Sequence, residues 1–510
     1  MSRNIGATIM VALNKFSVNI IKNSAFNLIG WIIPILVTLI TIPFYISKIS
    51  TEGYGIWILI GTITGYLSLV QLGIGPAVTK YIAEYNARKD LSAVIDTVNA
   101  ALLFSLVIGI VAGIIIFIAS PIFVRVFNVP LSLEKDAITS LKIGGLFFFL
   151  YLLLNVYLAI FVGLQRFDIS NLLNILRTVL FAFLSCLMLI SKYGIAGLSF
   201  ANVVVNLFIV VVGHFMTIYT IKGYRFSFLR LLSSLKIIFN YSIYSFISQA
   251  ASLFNSRLAE IIIGVLLGPS AVTFFNVPSR LVGLFASGSS SISSILFPIA
   301  SELQAENDIS KIKRTFLKSS EYFSLLILPV YFIFVFFSKS LLELWISPDI
   351  ANNSYKIMSV YSVAYLISGL TVVPSQFLRG FGKVKFIARF SVGIIVVSIF
   401  AYFPLINLFG IIGAGYSVLT TQLFGLIFIF YSLKVLKISF REYFDVNRRP
   451  FLLSGVLILL VLLIRFFAVQ WLSFKFFDLF FIFFYFILYG TFCFMIFRPK
   501  ILVGEECHEI

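Results

Sequence analysis

Apolar runs of about twenty residues recur from one end of this 510-residue chain to the other. A helix of that length crosses the hydrocarbon core of a bilayer, roughly 30 Å at 1.5 Å per residue. Inside lipid every backbone N–H and C=O must be satisfied by the chain itself, which leaves only helices or a closed barrel. The ten-residue alternating segments of a barrel are absent, so the expected fold class is all-α and polytopic. Composition agrees: 60% of residues are hydrophobic and 11% charged, where a soluble domain carries about 25% charged residues. Mean hydropathy is +1.07.

Fourteen spans are expected. The first six lie near 24–46, 53–75, 98–119, 139–163, 171–191 and 195–219, the next six near 238–266, 272–298, 319–338, 357–378, 386–405 and 409–433, and the last two near 451–472 and 477–497. With the N-terminus inside, the inward segments hold 25 of the 38 Lys and Arg, and the outward loops 7. That asymmetry predicts a multi-pass protein of the cytoplasmic (inner) membrane with both termini cytoplasmic. The net charge of +18 is spread over these short loops and forms no stripe, so nucleic acid is not an expected partner. Residues 1–23, with Arg3, Lys15 and Lys22, lack the pattern of a cleavable signal and read as an amphipathic cytoplasmic lead-in.

The chain also repeats itself. Tyr193-Gly194-Ile195-Ala196-Gly197-Leu198-Ser199-Phe200 returns as Phe409-Gly410-Ile411-Ile412-Gly413-Ala414-Gly415-Tyr416, and Pro76 with Ala83-Glu84 returns as Pro298 with Ala305-Glu306. Six spans separate the copies, an even number, so both copies share one orientation. The expected organisation is two parallel-repeat six-helix lobes, 24–235 and 236–447, followed by two C-terminal helices (448–500) and a cytoplasmic tail (501–510). Repeats of this kind place a transport path at their interface and move by rocking one lobe against the other.

Against this apolar background the buried charges stand out. Span 7 carries Arg257 and Glu260 within Asn255-Ser256-Arg257-Leu258-Ala259-Glu260. An ionised group at the centre of a span is penalised by roughly 2.5–3.5 kcal/mol on insertion scales, so it needs a partner, water or a function. Three positions apart, the two can neutralise each other on one helix face. The alternative is that Arg257 contacts an anion, since the guanidinium fork suits phosphate. Arg280 in span 8 is a second candidate. Arg177 in span 5 and Arg389 in span 11 hold similar places in the two lobes, near the cytoplasmic ends, where an arginine can equally snorkel to the interface. Lys142 and Arg465, nearer the outer ends, are expected to snorkel. Asn202 and Asn206 in span 6, Gln249 and Asn255 in span 7 and Gln422 in span 12 are the polar groups that could line a cavity, or instead bond neighbouring helices. The serine-rich Ser287–Ser294 stretch reads as a close-packing surface or a cavity lining, and His214 as a proton site or a satisfied imidazole.

Enzymatic and ATP-driven readings find no motif. There is no Gly-x-x-x-x-Gly-Lys-Ser/Thr loop and no His-Glu-x-x-His or clustered His/Cys/Asp set, so no cofactor or metal is expected. Cys186, Cys493 and Cys507 have no paired spacing. The longest outward loops, near 120–138 and 339–356, are short for a separate catalytic element, which weighs against a glycan polymerase or ligase.

Two segments carry a resemblance. Glu52-Gly53-Tyr54-Gly55-Ile56-Trp57 opens span 2, and Gln71-Leu72-Gly73-Ile74-Gly75-Pro76-Ala77-Val78-Thr79-Lys80-Tyr81-Ile82-Ala83-Glu84-Tyr85 closes it. With the Gly194–Gly197 turn and the span number, these resemble the oligosaccharide flippases, the Wzx-type polysaccharide biosynthesis proteins of the multidrug/oligosaccharidyl-lipid/polysaccharide exporter superfamily. The resemblance covers essentially the whole chain and departs at Gln71, where many relatives carry an acid. It implies translocation of a polyprenyl-pyrophosphate-linked oligosaccharide from the inner to the outer leaflet for surface polysaccharide such as O-antigen or capsule. H⁺ or Na⁺, membrane lipid and other polysaccharide-assembly proteins are then the expected partners. On that reading Arg257, Arg280, Arg177 and Arg389 meet the anionic head group. Glu260, the one carboxylate expected deep in a span, is a candidate coupling residue. The alternative within the superfamily is an ion-coupled multidrug exporter; such exporters generally use an acid in the first lobe, and spans 1–6 here have none away from their ends.

Overall fold

The computed structural model describes residues 2–225, 231–469 and 477–502. Every regular element among them is helical. In chain order they are α1 (Ser2–Leu67), α2 (Ile74–Ala87), α3 (Leu91–Val126), α4 (Leu131–Leu146), α5 (Phe148–Gly163), α6 (Phe167–Ile190), α7 (Gly194–Thr220), α8 (Leu231–Leu267) and α9 (Pro269–Ser293). Then follow α10 (Leu296–Glu306), α11 (Ile309–Phe336), α12 (Ser338–Trp345), α13 (Pro348–Gly380), α14 (Val384–Phe409), α15 (Ile411–Phe424), α16 (Leu426–Leu436), α17 (Phe440–Val469) and α18 (Phe477–Leu502). Among the described residues, ten helices are long and apolar enough to cross a membrane, or eleven with α4 and α5 joined across their 48° bend. The protein is an all-α, multi-pass membrane protein.

The fourteen expected spans fall on helices over their described residues; 470–472, at the end of span 13, lie outside them. Spans 1 and 2 both lie in α1, which is broken at Ser50 (φ 66, ψ 170), and spans 7 and 8 are α8 and α9. Ser50 adopts a backbone region that glycine normally occupies, and its Oγ accepts from Gly53 N at 3.3 Å to restart the helix. Two of the restarts recur at repeat-related positions. Gly194 (φ 58) and Gly410 (φ 60) both turn the chain into a helix, and Asp90 and Asp308 both cap one through their carboxylates. The repeat seen in the sequence is therefore partly a repeat of helix breaks.

By packing, the chain divides into two compact units, residues 1–273 and 274–510. In the first, α2, α3, α5 and α7 enclose an apolar core that includes Ile74, Val78, Ile82, Val98, Ile160 and Ile209. The segment that closes span 2 is the centre of that core. Leu72 (φ 51) and Gly73 (φ 76) turn the chain, after which Ile74, Ala77, Val78 and Ile82 are fully buried. Gln71 donates its amide to Ser105 Oγ (3.1 Å) and to the Leu152 carbonyl (2.9 Å), tying the turn to α3 and α5. Gly55, in the segment that opens span 2, faces the Pro269 carbonyl so closely that any Cβ there would overlap it. Both resemblance-bearing segments thus make packing contacts.

In the second unit, α17 and α18 lie on α11 through a cluster that includes Leu325, Phe337, Ile458, Val461, Phe481 and Tyr485. Arg465 of α17 forms a two-pronged ion pair with Asp478 of α18 (2.6 and 2.9 Å), and its guanidinium lies over the Phe337 ring at 5.2 Å. Asp478, counted in the sequence as the edge of span 14, is near enough to supply the partner. Lys142 rests over the Phe117 ring at 5.4 Å.

Candidate functional site

The buried charges of span 7 sit on α8, which packs within the first unit against α1, α2 and α3. Gly264 makes the approach to α1 possible: a Cβ there would come within 2.7 Å of Leu59 and 2.8 Å of Phe127. One turn back on α8 is Glu260; one turn on from Leu59 in α1 is Thr62. The close passage of the helices puts these two side chains together, and Thr62 Oγ1 donates to Glu260 Oε2. Arg257 Nη1 donates to the same oxygen at 3.1 Å.

The members differ in accessibility. The Glu260 side chain is 8% exposed and that of Arg257 28%. Thr62 is fully buried. Tyr66, a further turn along α1, packs edge-on to Phe254 of α8 at 5.3 Å between ring centres, and its buried hydroxyl has no hydrogen-bond partner among the described residues. The cluster therefore holds a carboxylate satisfied from two helices, an arginine with donors to spare, and an unused hydroxyl. An arginine carries five N–H donors, so engaging one leaves the rest of the fork free for a second anion.

The other expected site residues scatter. Arg177 is half-buried and lies over the Tyr151 ring at 5.6 Å. Arg389 is exposed, and Arg280 is half-buried on α9 in the second unit. Asn206 is buried and donates to Asn202 Oδ1 at 2.8 Å along α7, so this pair bonds within one helix; Asn206 Oδ1 has no partner among the described residues. Gln249 is exposed and Gln422 half-buried; the Asn255 side chain lies outside the described residues. His214 shares a hydrogen bond of 3.1 Å through Nδ1 with the Tyr157 hydroxyl, the arrangement of a satisfied imidazole. In the serine-rich stretch Ser287, Ser289 and Ser293 donate to carbonyls of their own helix, and Ser293 accepts from Gln376 at 3.3 Å.

Two features escaped the sequence reading. Thr62 and Tyr66 are neutral groups in an apolar run, and only their four-residue spacing marks one face. Glu260 is not the single deep carboxylate, for Glu321 on α11 is equally withdrawn, at 8% exposure. The expected span 9 begins only at 319, but α11 starts at Ile309, which carries Glu321 into the packed part of the helix.

A bundle of many apolar helices long enough to cross a membrane defines a class, the polytopic helical membrane protein. The family is more specific. The model of the polysaccharide biosynthesis protein family matches residues 20–304, more than half of the chain, and the chain belongs to that family. A candidate O-antigen transporter of Shigella flexneri is 23% identical over 407 residues, covering 78% of this chain and 94% of the relative. The flippase candidate AglR of Haloferax volcanii is 22% identical over 389 residues, covering 75% and 76%. Among solved structures, the lipid II flippase MurJ in an inward closed conformation superposes with a TM-score of 0.70 at 15% identity, covering 94% of this chain and all of that one. An inward-facing multidrug transporter of the MATE family gives 0.68 at 14%, covering 80% and 94%. The structural likenesses establish the shared fold.

Proposed function

We propose that this protein is a flippase that carries a polyprenyl-pyrophosphate-linked oligosaccharide from the inner to the outer leaflet of the cytoplasmic membrane for surface polysaccharide assembly. Family membership and relatives named as O-antigen transporter and glycan flippase candidates support the reading. The observation that carries it is Arg257, a partly exposed arginine held by one donor to a buried carboxylate in an otherwise apolar helix.

In this mechanism the pyrophosphate docks on the free edge of the Arg257 guanidinium while Glu260, anchored by Thr62, keeps the arginine in position. The Tyr66 hydroxyl is the neighbouring neutral donor. Glu260 is also the candidate for coupling to H⁺ or Na⁺. Arg280, Arg177 and Arg389 are proposed as further contacts of the anionic head group, and Asn202, Asn206, Gln249, Asn255 and Gln422 as the polar groups that meet sugar. The polyprenyl tail stays in membrane lipid throughout. The lobes 24–235 and 236–447 are the proposed moving parts, so the Thr62–Glu260 bond, which joins one to the other, belongs to one state of the cycle, and the bias of Lys and Arg toward the inward segments supports cytoplasmic termini. The activity is transport, with no bond made or broken.

The test is Arg257→Ala in a host that lacks its own flippase and depends on this protein for surface glycan. Surface glycan is expected to disappear while the protein remains in the membrane at its normal level. Unchanged glycan would remove Arg257 from the mechanism. Glycan of altered length, rather than altered side, would point to a polymerase, and raised resistance to cationic dyes to a drug exporter.

A further inference from the structure

The second unit holds a crevice of about 510 Å³ that the transport reading does not use. It is walled by α11, α13, α16 and α17, and Leu370, Leu426 and Phe430 are among its apolar lining. The volume falls within the roughly 300–1,000 Å³ of small-ligand sites. Among its lining, Leu370 lies eight residues from the expected inner end of span 10 at 378, about 12 Å at 1.5 Å per residue, while Arg448 stands just before the expected start of span 13 at 451. Half of a 30 Å hydrocarbon core is about 15 Å, so the crevice reaches about one leaflet deep from the level of Arg448.

Its polar lining is as informative. The Tyr443 hydroxyl is engaged by the Leu370 carbonyl, and Asn447 accepts from Ser324 at 2.5 Å. Arg448 is the remaining polar residue of the lining; it is exposed and makes no ion pair among the described residues. The flanking charge has the same sign. Between 426 and 452 the cations are Lys434, Lys437, Arg441, Arg448 and Arg449, while the two acids, Glu442 and Asp445, are both paired, with Lys313 at 2.6 Å and Arg441 at 3.9 Å. An apolar slot one leaflet deep, with an unpaired arginine in its wall, matches an acyl chain joined to an anionic head group. Basic pockets between membrane helices bind phospholipid head groups in this manner.

We infer that the crevice is a binding site for an anionic phospholipid of the surrounding bilayer, its acyl chain between α11, α13, α16 and α17 and its phosphate on Arg448. The lipid would fill the gap between α16 and α17, and so join the two C-terminal helices to the rest of their unit. This inference needs only the placement of the helices in lipid and does not rest on what the protein transports.

The full-length protein, purified in mild detergent, would be offered phosphatidylglycerol or phosphatidylcholine and examined by native mass spectrometry. Wild type is expected to retain phosphatidylglycerol in preference to phosphatidylcholine. Arg448→Gln should lower that retention about fivefold, the loss of one near-surface cationic contact. Leu426→Trp, which fills the slot from α16, should abolish it, and Arg449→Gln, whose side chain does not line the crevice, should leave it intact. Elution volume and far-UV circular dichroism confirm folding for each variant. Equal retention of the two lipids, or equal loss in Arg448→Gln and Arg449→Gln, overturns the site. Displacement of phosphatidylglycerol by undecaprenyl pyrophosphate also overturns it, and assigns the crevice to the transported lipid.

Discussion

Thr62 and Glu260, 198 positions apart, share a hydrogen bond in the interior of the first unit, on the same Oε2 that Arg257 holds at 3.1 Å. The bond ranks the two charges of span 7. Glu260 is fixed from two helices, whereas Arg257 is the more exposed partner and spends one donor on it. Under the proposed function, this anchor holds Arg257 in place as a ligand arrives and leaves.

Thr62→Val tests the anchor. The substitution keeps volume and removes the hydroxyl, so a buried carboxylate loses one of its donors. A hydrogen bond to a charged group contributes about 1.5–3 kcal/mol, so the variant should be destabilised by about that amount and melt at a lower temperature. Thermal unfolding of the purified protein checks this, with Thr62→Ser expected to restore the wild-type midpoint to within a degree or two. An unchanged midpoint in Thr62→Val would remove the bond from the account.

Arg257→Lys separates charge from geometry. Lysine keeps the positive charge but has no planar fork, so it cannot hold Glu260 and a phosphate with fixed parallel donors. Surface glycan in the complemented host should fall to an intermediate level, about tenfold below wild type, where Arg257→Ala removes it. If lysine supports full activity, Arg257 acts as a point charge and the two-anion geometry is dispensable.

Much of this was legible before any coordinates. The helical, membrane-spanning fold follows from apolar length, because lipid leaves the backbone few choices. Arg257 and Glu260 were visible for the same reason, as a charge in a span announces itself. Thr62 and Tyr66 were not, since neutral hydroxyls are common in spans and their importance lies in a partner almost two hundred residues away. The partner of Arg465 was not apparent because Asp478 stands at the edge of the next span; the packing of α17 on α18 brings the two together. The segments at Glu52–Trp57 and Gln71–Tyr85 identified the family without revealing their role, which is the packing of α2, α3, α5 and the first turn of α9.

Gln71→Glu tests whether the turn that closes span 2 tolerates an acid. Here the side-chain amide donates to Ser105 Oγ and to the Leu152 carbonyl. A carboxylate would set an acceptor against that carbonyl and leave the carbonyl without its donor. An unsatisfied buried group is worth about 1–3 kcal/mol, more when charged. The variant should accumulate poorly in the membrane, and Gln71→Met, which removes the donors without adding charge, should be milder. Quantitative blotting of membrane fractions reads both. A stable, fully active Gln71→Glu protein would show that the acid protonates or finds another donor.

The Arg465–Asp478 pair gives the last test, and its size can be bounded from exposure. Arg465 is 31% exposed and Asp478 19%, and Asp478 also accepts from Ser340 of α12. A fully buried pair broken on one side is destabilising by about 3–5 kcal/mol, an exposed one by about 0–1. This pair lies between, with water reaching the arginine, so a coupling of about 1–2 kcal/mol is expected from a double-mutant cycle of Arg465→Met and Asp478→Asn. Asp478→Asn alone should destabilise more than Arg465→Met, because Arg465 would then lie over Phe337 without its counter-ion, whereas Asp478 keeps Ser340. Thermal unfolding of the four proteins measures the cycle. Additive effects would mean that α17 and α18 are held to α11 by their apolar contacts alone.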